Sequence, residues 1–377
     1  MIILQISPEF TPGTGVGGVA YALEKEWQRQ GHDVRRFGSE EAGCAFLATP
    51  VPGLRGQLRH AGHVVWFSTI GTMRARRAVR DLPADAVSIC HNDALAGDIY
   101  VNHGILTSAM RARGNFAWRM VRNPLHLVTV GRDIYRYRSR THRAVVSLSE
   151  ADRTTLVRRY GLDADDAWVI PNGVHLGRFQ PASTEERRTS RAALGIPLNA
   201  RVAAFVGHEF DRKGLPLLID AVSDLPDHHL IVIGGSPAQV DARRRVLSSE
   251  LTKRVHWLGR VPDPRHGLAA ADVLALPSAY EANPLVVLEA LASGLQVLAT
   301  PVGSIPEILK NDAVSRVVDR SVQGVRKGLS ELAALDAQTP DIQTQARCRA
   351  ASQDWQTVAT RYLDLFDWLG ALGASRR

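Results

Sequence analysis

The sequence is poor in cysteine. Cys44, Cys90 and Cys348 are the only three in 377 residues, and no Cys-x-x-Cys pair exists, so neither a zinc knuckle nor a dithiol redox motif has support. An odd, low count fits a reducing compartment. Long apolar runs are missing too: none approaches the roughly 20 residues that a membrane-spanning helix needs. The opening residues, Met1 to Ile6, already read as a strand and lack the basic and apolar regions of a secretory leader. Tandem repeats and low-complexity tracts are absent. These absences point to a cytoplasmic chain, with contact at the inner membrane face left open. Acidic residues are outnumbered, 38 Asp and Glu against 46 Lys and Arg, for a net charge of +8. An anionic partner is therefore expected. Nucleotide-sugar, nucleic acid and acidic lipid all qualify, and charge alone does not choose among them.

What is present is a recurring unit, a short apolar run followed by an amphipathic stretch. MIILQIS (1–7) reads as a buried strand, PGTGVGG (12–18) as a loop and GVAYALEKEWQRQ as a helix stopped by Gly31. HDVRRFG, VSICHN, IYVNHG, AVVSLSE and WVIPNG continue the series. It restarts with RVAAFVGH, HLIVIGG, RVHWLGR, DVLALPS and LQVLATP, separated by LPLLIDAVSDL, QVDARRRVLSSEL and LVVLEALASG as helices. Strands apolar on both faces that alternate with helices indicate α/β domains with doubly wound parallel sheets. At about 100–200 residues per domain the length fits two. The polar stretch PASTEERRTSR (181–191) reads as the linker, giving domains at 1–180 and 181–352, with an amphipathic segment at 353–377.

In open parallel sheets, ligands bind beyond the carboxyl ends of the strands, and four loops there stand out. The first holds Gly13, Gly15, Gly17 and Gly18, where backbone can approach a ligand and a helix N-terminus follows. Gly13, Gly15 and Gly18 have G-x-G-x-x-G spacing, but no acidic residue closes the next strand, HDVRRFG, about 20 residues on, which argues against a dinucleotide site. The second is GHEFDRKG (207–214). Arg212 and Lys213 at the start of a helix oppose its dipole, and make sense against a diphosphate. The third is YEANPLVVLEALASG (280–294). Glu281 lies in the loop, and N–H groups of Asn283, Leu285 and Val286 around Pro284 would face an anion. Glu289 lies inside a helix apolar nearly all round, so it is expected to have a dedicated partner. The fourth is VNHG (101–104), with His103 at a strand end, where a lone histidine is more often structural than functional.

Together these segments resemble the retaining GT-B glycosyltransferases of family four, the group 1 type, whose motif is two glutamates separated by seven residues. LQISPEFTPGTGVGGVAYALEKEWQRQGHDV is similar to the family's opening strand, loop and helix, and VIPNGVHLGRF to the end of its first domain. VGHEFDRKG resembles its diphosphate loop, and ADVLALPSAYEANPLVVLEALASGLQVLATPVGSIPEI its donor site almost end to end. The resemblance implies two Rossmann-like domains facing a central cleft, with 353–377 packing back on the first. It implies transfer of a sugar from a UDP- or GDP-linked donor to a lipid-linked or small acceptor. Neither metal nor cofactor is implied. By match, Glu281 would lie near the donor sugar hydroxyls, Glu289 on the ribose, and Arg212 and Lys213 on the diphosphate. Gly17 and Gly18 would approach the diphosphate or acceptor, His103 the donor sugar, and the backbone of Arg260 and Val261 the base. The sequence departs from the family at His208, where Arg is usual, at His175 for Asp, and at Asn283–Pro284 for Phe–Gly.

Two features lie outside that pattern. Asp163-Ala164-Asp165 has the look of a metal-binding D-x-D but sits in a helix-to-strand turn and reads as turn chemistry. The segment 111–143 carries nine arginines against one acid, Asp133, with Phe116, Trp118, Tyr135 and Tyr137 interleaved. It suits an anionic membrane surface, with Arg136, Arg138 and Arg140 as contacts, or equally a solvated basic face over core residues such as Met120 and Val121. A basic nucleic-acid-binding protein and a sugar-nucleotide epimerase are the alternatives. The first leaves 280–294 unexplained.

Overall fold

A computed structural model describes residues 1–49, 51 and 53–375, so Arg376 and Arg377 of the segment 353–377 lie outside the described residues. The chain divides into two compact units, one of residues 1–172 with 355 onward, the other Gly173–Asp354. The division thus falls at 172/173, ahead of the expected 180/181. The stretch taken for a linker is helix Thr184–Ala193, opened by a capping box in which Ser183 and Glu186 exchange hydrogen bonds. Its polarity misled because the buried contacts are made by an arginine. Arg191 is 1% exposed and donates to Asp272 at 3.0 Å.

The first unit is a parallel six-stranded sheet of β1 (Ile2–Ile6), β2 (Asp33–Phe37), β3 (Val87–Cys90), β4 (Ile99–Asn102), β5 (Ala144–Ser147) and β6 (Ala167–Val169). The strand order is β2-β1-β3-β4-β5-β6. After β1 the chain runs through the glycine loop into helix Val16–Arg29. The C-terminal helix Trp355–Ser375 packs on that helix. Its apolar residues Trp355, Val358, Ala359, Tyr362, Leu365, Phe366 and Leu369 recur at helical spacing and are buried. Trp27 anchors the pair: its ring meets Tyr362 edge-on, and its indole N–H donates to the Ala359 carbonyl at 3.2 Å.

The second unit repeats the plan with β7 (Arg201–Val206), β8 (His228–Ile233), β9 (Val255–Gly259), β10 (Val273–Leu276), β11 (Gln296–Ala299) and β12 (Ser315–Val317). Their order is β12-β11-β10-β7-β8-β9, all parallel. Alternate residues of one strand enter different cores. Val202 and Ala204 join one cluster, and Ala203 and Phe205 the other. Both faces are therefore covered, which is why the strands read as continuous apolar runs. The stretch expected as one helix, QVDARRRVLSSEL, is two, Pro237–Arg244 and Ser249–Arg254. The Ser248 hydroxyl accepts from the Leu251 N–H and starts the second.

Each strand order reverses direction once, between β1 and β3 in the first sheet and between β7 and β10 in the second. Loops leaving the carboxyl ends of those neighbouring strands splay to opposite faces and leave a crevice for a ligand. The glycine loop leaves β1, and the loops 207–214 and 280–294 leave β7 and β10, at these two places, whereas His103 follows β4 and Arg260 and Val261 follow β9.

Candidate functional site

In the second unit the loops after β7 and β10 are stitched together by backbone. Leaving β7, the chain makes one helical turn, Phe210–Lys213, before helix Leu215–Ser223. Gly214 joins the two at φ +81°, and a Cβ there would strike the Pro277 carbonyl. The Ala279 N–H donates to the Arg212 carbonyl at 2.8 Å. Arg320 bridges both loops, donating to the carbonyls of Pro277 at 3.2 Å and Asp211 at 3.1 Å. The β10 loop then enters helix Leu285–Ala292, with Pro284 at its N-cap.

This stitching brings Arg212, Lys213 and Glu281 together. Glu281 is 9% exposed, and three donors converge on its Oε1: Lys213 Nζ at 3.0 Å, Ser278 Oγ at 3.0 Å and Arg212 at 3.3 Å. Its Oε2 has no hydrogen bond among the described residues. Arg212 also pairs with Glu209 and donates to the Tyr280 carbonyl. The cations are thus paired, not free surface charges. They are held in place by carboxylates, and so pre-aimed. Gly303, at φ +55°, closes the floor, because a Cβ there would run into the carbonyls of Glu281 and Ala282. Asn283 is turned inward, its amide donating to Ser304 Oγ at 2.7 Å.

Glu289 lies one turn inside helix Leu285–Ala292. Its carboxyl has no ion pair or hydrogen bond among the described residues, so the protein partner expected for it is missing. Burial raises its pKa from 4.5 to about 7. Asp263 adds to the rise, while Arg178 and Lys213 oppose it. Leu285 and Val286 are half-buried in the first turn of that helix. His208 stands exposed in the β7 loop, and the Gly235 N–H donates to its Nδ1 at 3.3 Å. Its pKa is lowered by burial first and then by the positive charges of Arg260 and Lys213, which marks a cationic field around this loop. Arg260 is exposed and Val261 half-buried, both just beyond β9. Arg178, Asp263 and Ser278 were not singled out from the sequence. Only a serine three residues ahead of Glu281 hinted at the last.

In the first unit, Gly17 and Gly18 fall within the first turn of helix Val16–Arg29, not in the loop before it. That turn has no acidic residue and no side-chain cap. His103 follows β4. Its Nε2 lies 3.3 Å from His91 Nδ1, and burial lowers its pKa to about 4. His91 and its neighbour Gln5 also went unremarked in the sequence, where 86 residues separate them. Asp163 closes a turn, its side chain accepting from the Asp165 N–H at 3.2 Å while it pairs with Arg140. Among the described residues no cluster of three or more His, Cys, Asp or Glu is placed to hold a metal.

The Arg-rich segment resolves into helices Phe116–Arg122 and Pro124–Arg138. Arg136 is not a surface contact: it is 1% exposed, lies 3.7 Å from the Tyr100 ring centre and donates to the carbonyls of Asp93 and Ala94. Met120 is core, but Trp118, Val121, Leu127 and Val128 are exposed. No helix among the described residues is long and apolar enough to cross a membrane.

Comparison with known proteins bears on the family and the fold. The family profile described as Glycosyltransferase Family 4 matches residues 13–178, and that described as Glycosyl transferases group 1 matches 186–351. A D-inositol 3-phosphate glycosyltransferase of Xylanimonas cellulosilytica is 31% identical over 234 residues, 59% of this chain and 56% of that protein. The chain thus spans about half the length of the curated relatives it matches. Among solved structures, a sucrose-phosphate synthase from Thermosynechococcus elongatus superposes with TM-score 0.74 at 17% identity, covering 98% of this chain and 99% of the other. Anabaena HepE in complex with UDP-glucose gives TM-score 0.67 at 20% identity, with coverage of 97% and 99%. At these identities the likeness concerns the fold, the two-sheet architecture known as GT-B.

Proposed function

The chain belongs to the group 1, family 4 glycosyltransferases, and from that premise we propose that it moves a sugar from a nucleoside-diphosphate sugar to an acceptor with retention of configuration. One observation carries the reading. Lys213 and Arg212 converge with Glu281 at the switch point of the second sheet, beside the first turn of helix Leu285–Ala292. Breaking the anomeric C–O bond builds negative charge on the departing diphosphate. Two pre-aimed cations and the N–H groups of that turn stabilise it without reorganising, the kind of contribution that dominates many enzymes. Glu281 holds the cations through Oε1, and its Oε2 can accept from the sugar hydroxyls. Glu289 would accept from the ribose hydroxyls, an arrangement that favours its ionised form. Gly17 and Gly18 would approach the diphosphate or acceptor, and His103 the donor sugar. Arg260 and Val261 would meet the base. Retention follows if the acceptor attacks the face that the diphosphate leaves.

The donor is proposed to be UDP- or GDP-linked, and HepE, a structural neighbour, is known in complex with UDP-glucose. A thermal-shift panel of UDP-, GDP-, ADP- and dTDP-sugars tests the reading. A donor at about 100 times its Kd should stabilise the protein by roughly 2.7 kcal/mol. Turnover with that donor in EDTA then tests metal independence. Product analysis with labelled donor separates transfer from epimerisation. No stabilisation by any member of the panel would sink the proposal.

A lipid-linked acceptor at the inner membrane face is favoured by a separate observation. Trp118, Val121, Leu127 and Val128 are exposed beside Arg111 and Arg122, whose guanidinium groups lie over Phe116 and Trp118 at 5.0 and 4.8 Å. Exposed apolar groups rimmed by cations suit an anionic bilayer, at about 1 kcal/mol per well-placed charge.

A further inference from the structure

The surroundings of His103 determine more than its position. Gln5 on β1 is fully buried, and its Nε2 lies 3.0 Å from the Ala20 carbonyl, inside helix Val16–Arg29. A carbonyl only accepts, so the amide must present its NH2 to Ala20 and its oxygen to the other side. On that side His91 Nε2 lies 2.8 Å from Gln5 Oε1. An amide oxygen also only accepts, so His91 carries its proton on Nε2. His91 is 1% exposed and held neutral by burial, with the approach of His103 acting in the same direction. Its Nδ1 is therefore a bare lone pair. His103 Nε2, 3.3 Å away, must supply the hydrogen for that contact. The remaining nitrogen, His103 Nδ1, then has no proton, and it makes no hydrogen bond among the described residues.

We propose that Gln5 and His91 are positioning residues that fix His103 in the Nε2–H tautomer, so that it meets a ligand hydroxyl only as a hydrogen-bond acceptor through Nδ1. The second half rests on the reading of His103 as a donor-sugar contact. The relay starts from a backbone carbonyl of helix Val16–Arg29 and ends past β4, crossing the switch point of the first sheet. It reaches the ligand side as a direction of hydrogen bonding, with no net charge. A neutral acceptor there selects for a sugar with a hydroxyl at the facing carbon. It discriminates against one with a methyl, a hydrogen or an ether oxygen in that place, because the lone pair would be left buried and unpaired. A free histidine would choose its tautomer by what it meets; this one is set beforehand.

The experiment is nitrogen NMR of the full chain labelled with 15N-histidine at pH 7. The signals lost in His103→Ala identify the ring. Wild type is expected to show His103 protonated at Nε2 and bare at Nδ1, and His91→Phe, which removes the acceptor, to release a population protonated at Nδ1. His91→Asn offers an acceptor oxygen near the place of Nδ1 and is expected to restore the wild-type form. A wild-type His103 carrying its proton on Nδ1 overturns the proposal, and so does an unchanged tautomer in His91→Phe. The wild-type spectrum decides the matter even where a variant fails to fold. Adding UDP-glucose and, separately, UDP tests the underlying reading. A fixed tautomer whose Nδ1 signal ignores sugar-bearing donors leaves the relay intact and removes His103 from the donor site.

Discussion

Glu289→Gln is the most revealing single change. Burial holds the Glu289 proton to about pH 7, whereas in the unfolded chain it is lost near 4.5. Between those values the native state binds more protons than the unfolded state. The contribution of Glu289 to stability must therefore fall as pH rises from 4.5 to 7 and level off above, and the gap between wild type and Glu289→Gln isolates it from the other titrating groups. Below 4.5 the carboxyl is protonated in both states and contributes nothing. A displacement from 4.5 to about 7, at about 1.4 kcal/mol per pH unit, is an upper limit of about 3.5 kcal/mol. Solvent reaches part of the side chain and trims that figure, so a cost of about 1–3 kcal/mol above pH 7 is expected. Glutamine has similar shape and no charge to desolvate. The ligand-free variant should match wild type near pH 4.5 and melt several degrees higher at pH 8, since about 1 kcal/mol moves the melting point of a domain this size by about 2–4 °C. Calorimetry from pH 4.5 to 8.5 measures the gap. The same variant should bind the nucleotide-sugar more weakly, because its amide is a poorer acceptor for two hydroxyls. A gap that stays constant across the range, or a variant less stable at pH 8, would falsify the account of Glu289.

Other changes test other parts. Lys213→Ala should weaken donor binding. Glu281→Gln leaves two cations without their shared counter-charge and should bind donor as tightly or tighter, with turnover lower by on the order of 100-fold; the opposite split between Kd and kcat would refute the roles given to them. Gly303→Ala, which adds a Cβ at φ +55° against two carbonyls, should lower stability by about 2 kcal/mol or more, read as a drop in melting temperature. Vesicle co-sedimentation should show salt-sensitive binding to anionic but not neutral vesicles, lost in Trp118→Ser with Arg122→Ser; equal recovery from both lipids would favour a soluble acceptor.

Much of this molecule is settled by local pattern. Strands buried on both faces cannot alternate, so RVAAFV, HHLIVI and VLAL announce a covered parallel sheet without any knowledge of their neighbours. Glycine after a strand and cations at a helix start conflict with local stability, which marks 207–214 as a candidate site in the primary sequence. The same holds for Glu289, a carboxylate in an apolar helix. Local pattern fails where a buried face is built from charge. The helix Thr184–Ala193 was read as linker because its inward side is Arg191, whose burial is compensated by Asp272 and backbone carbonyls far along the chain. Arg136 misled in the same way, since an arginine in a basic run gives no sign that Tyr100 and the carbonyls of Asp93 and Ala94 await it. Which atom of Glu281 is occupied, and which nitrogen of His103 bears the proton, depend on hydrogen bonds between residues distant in sequence. Such bonds have direction but leave no periodicity. The sequence therefore determined the sheets and the candidate loops at their carboxyl ends, and only the tertiary structure decided how each polar group in those loops is aimed.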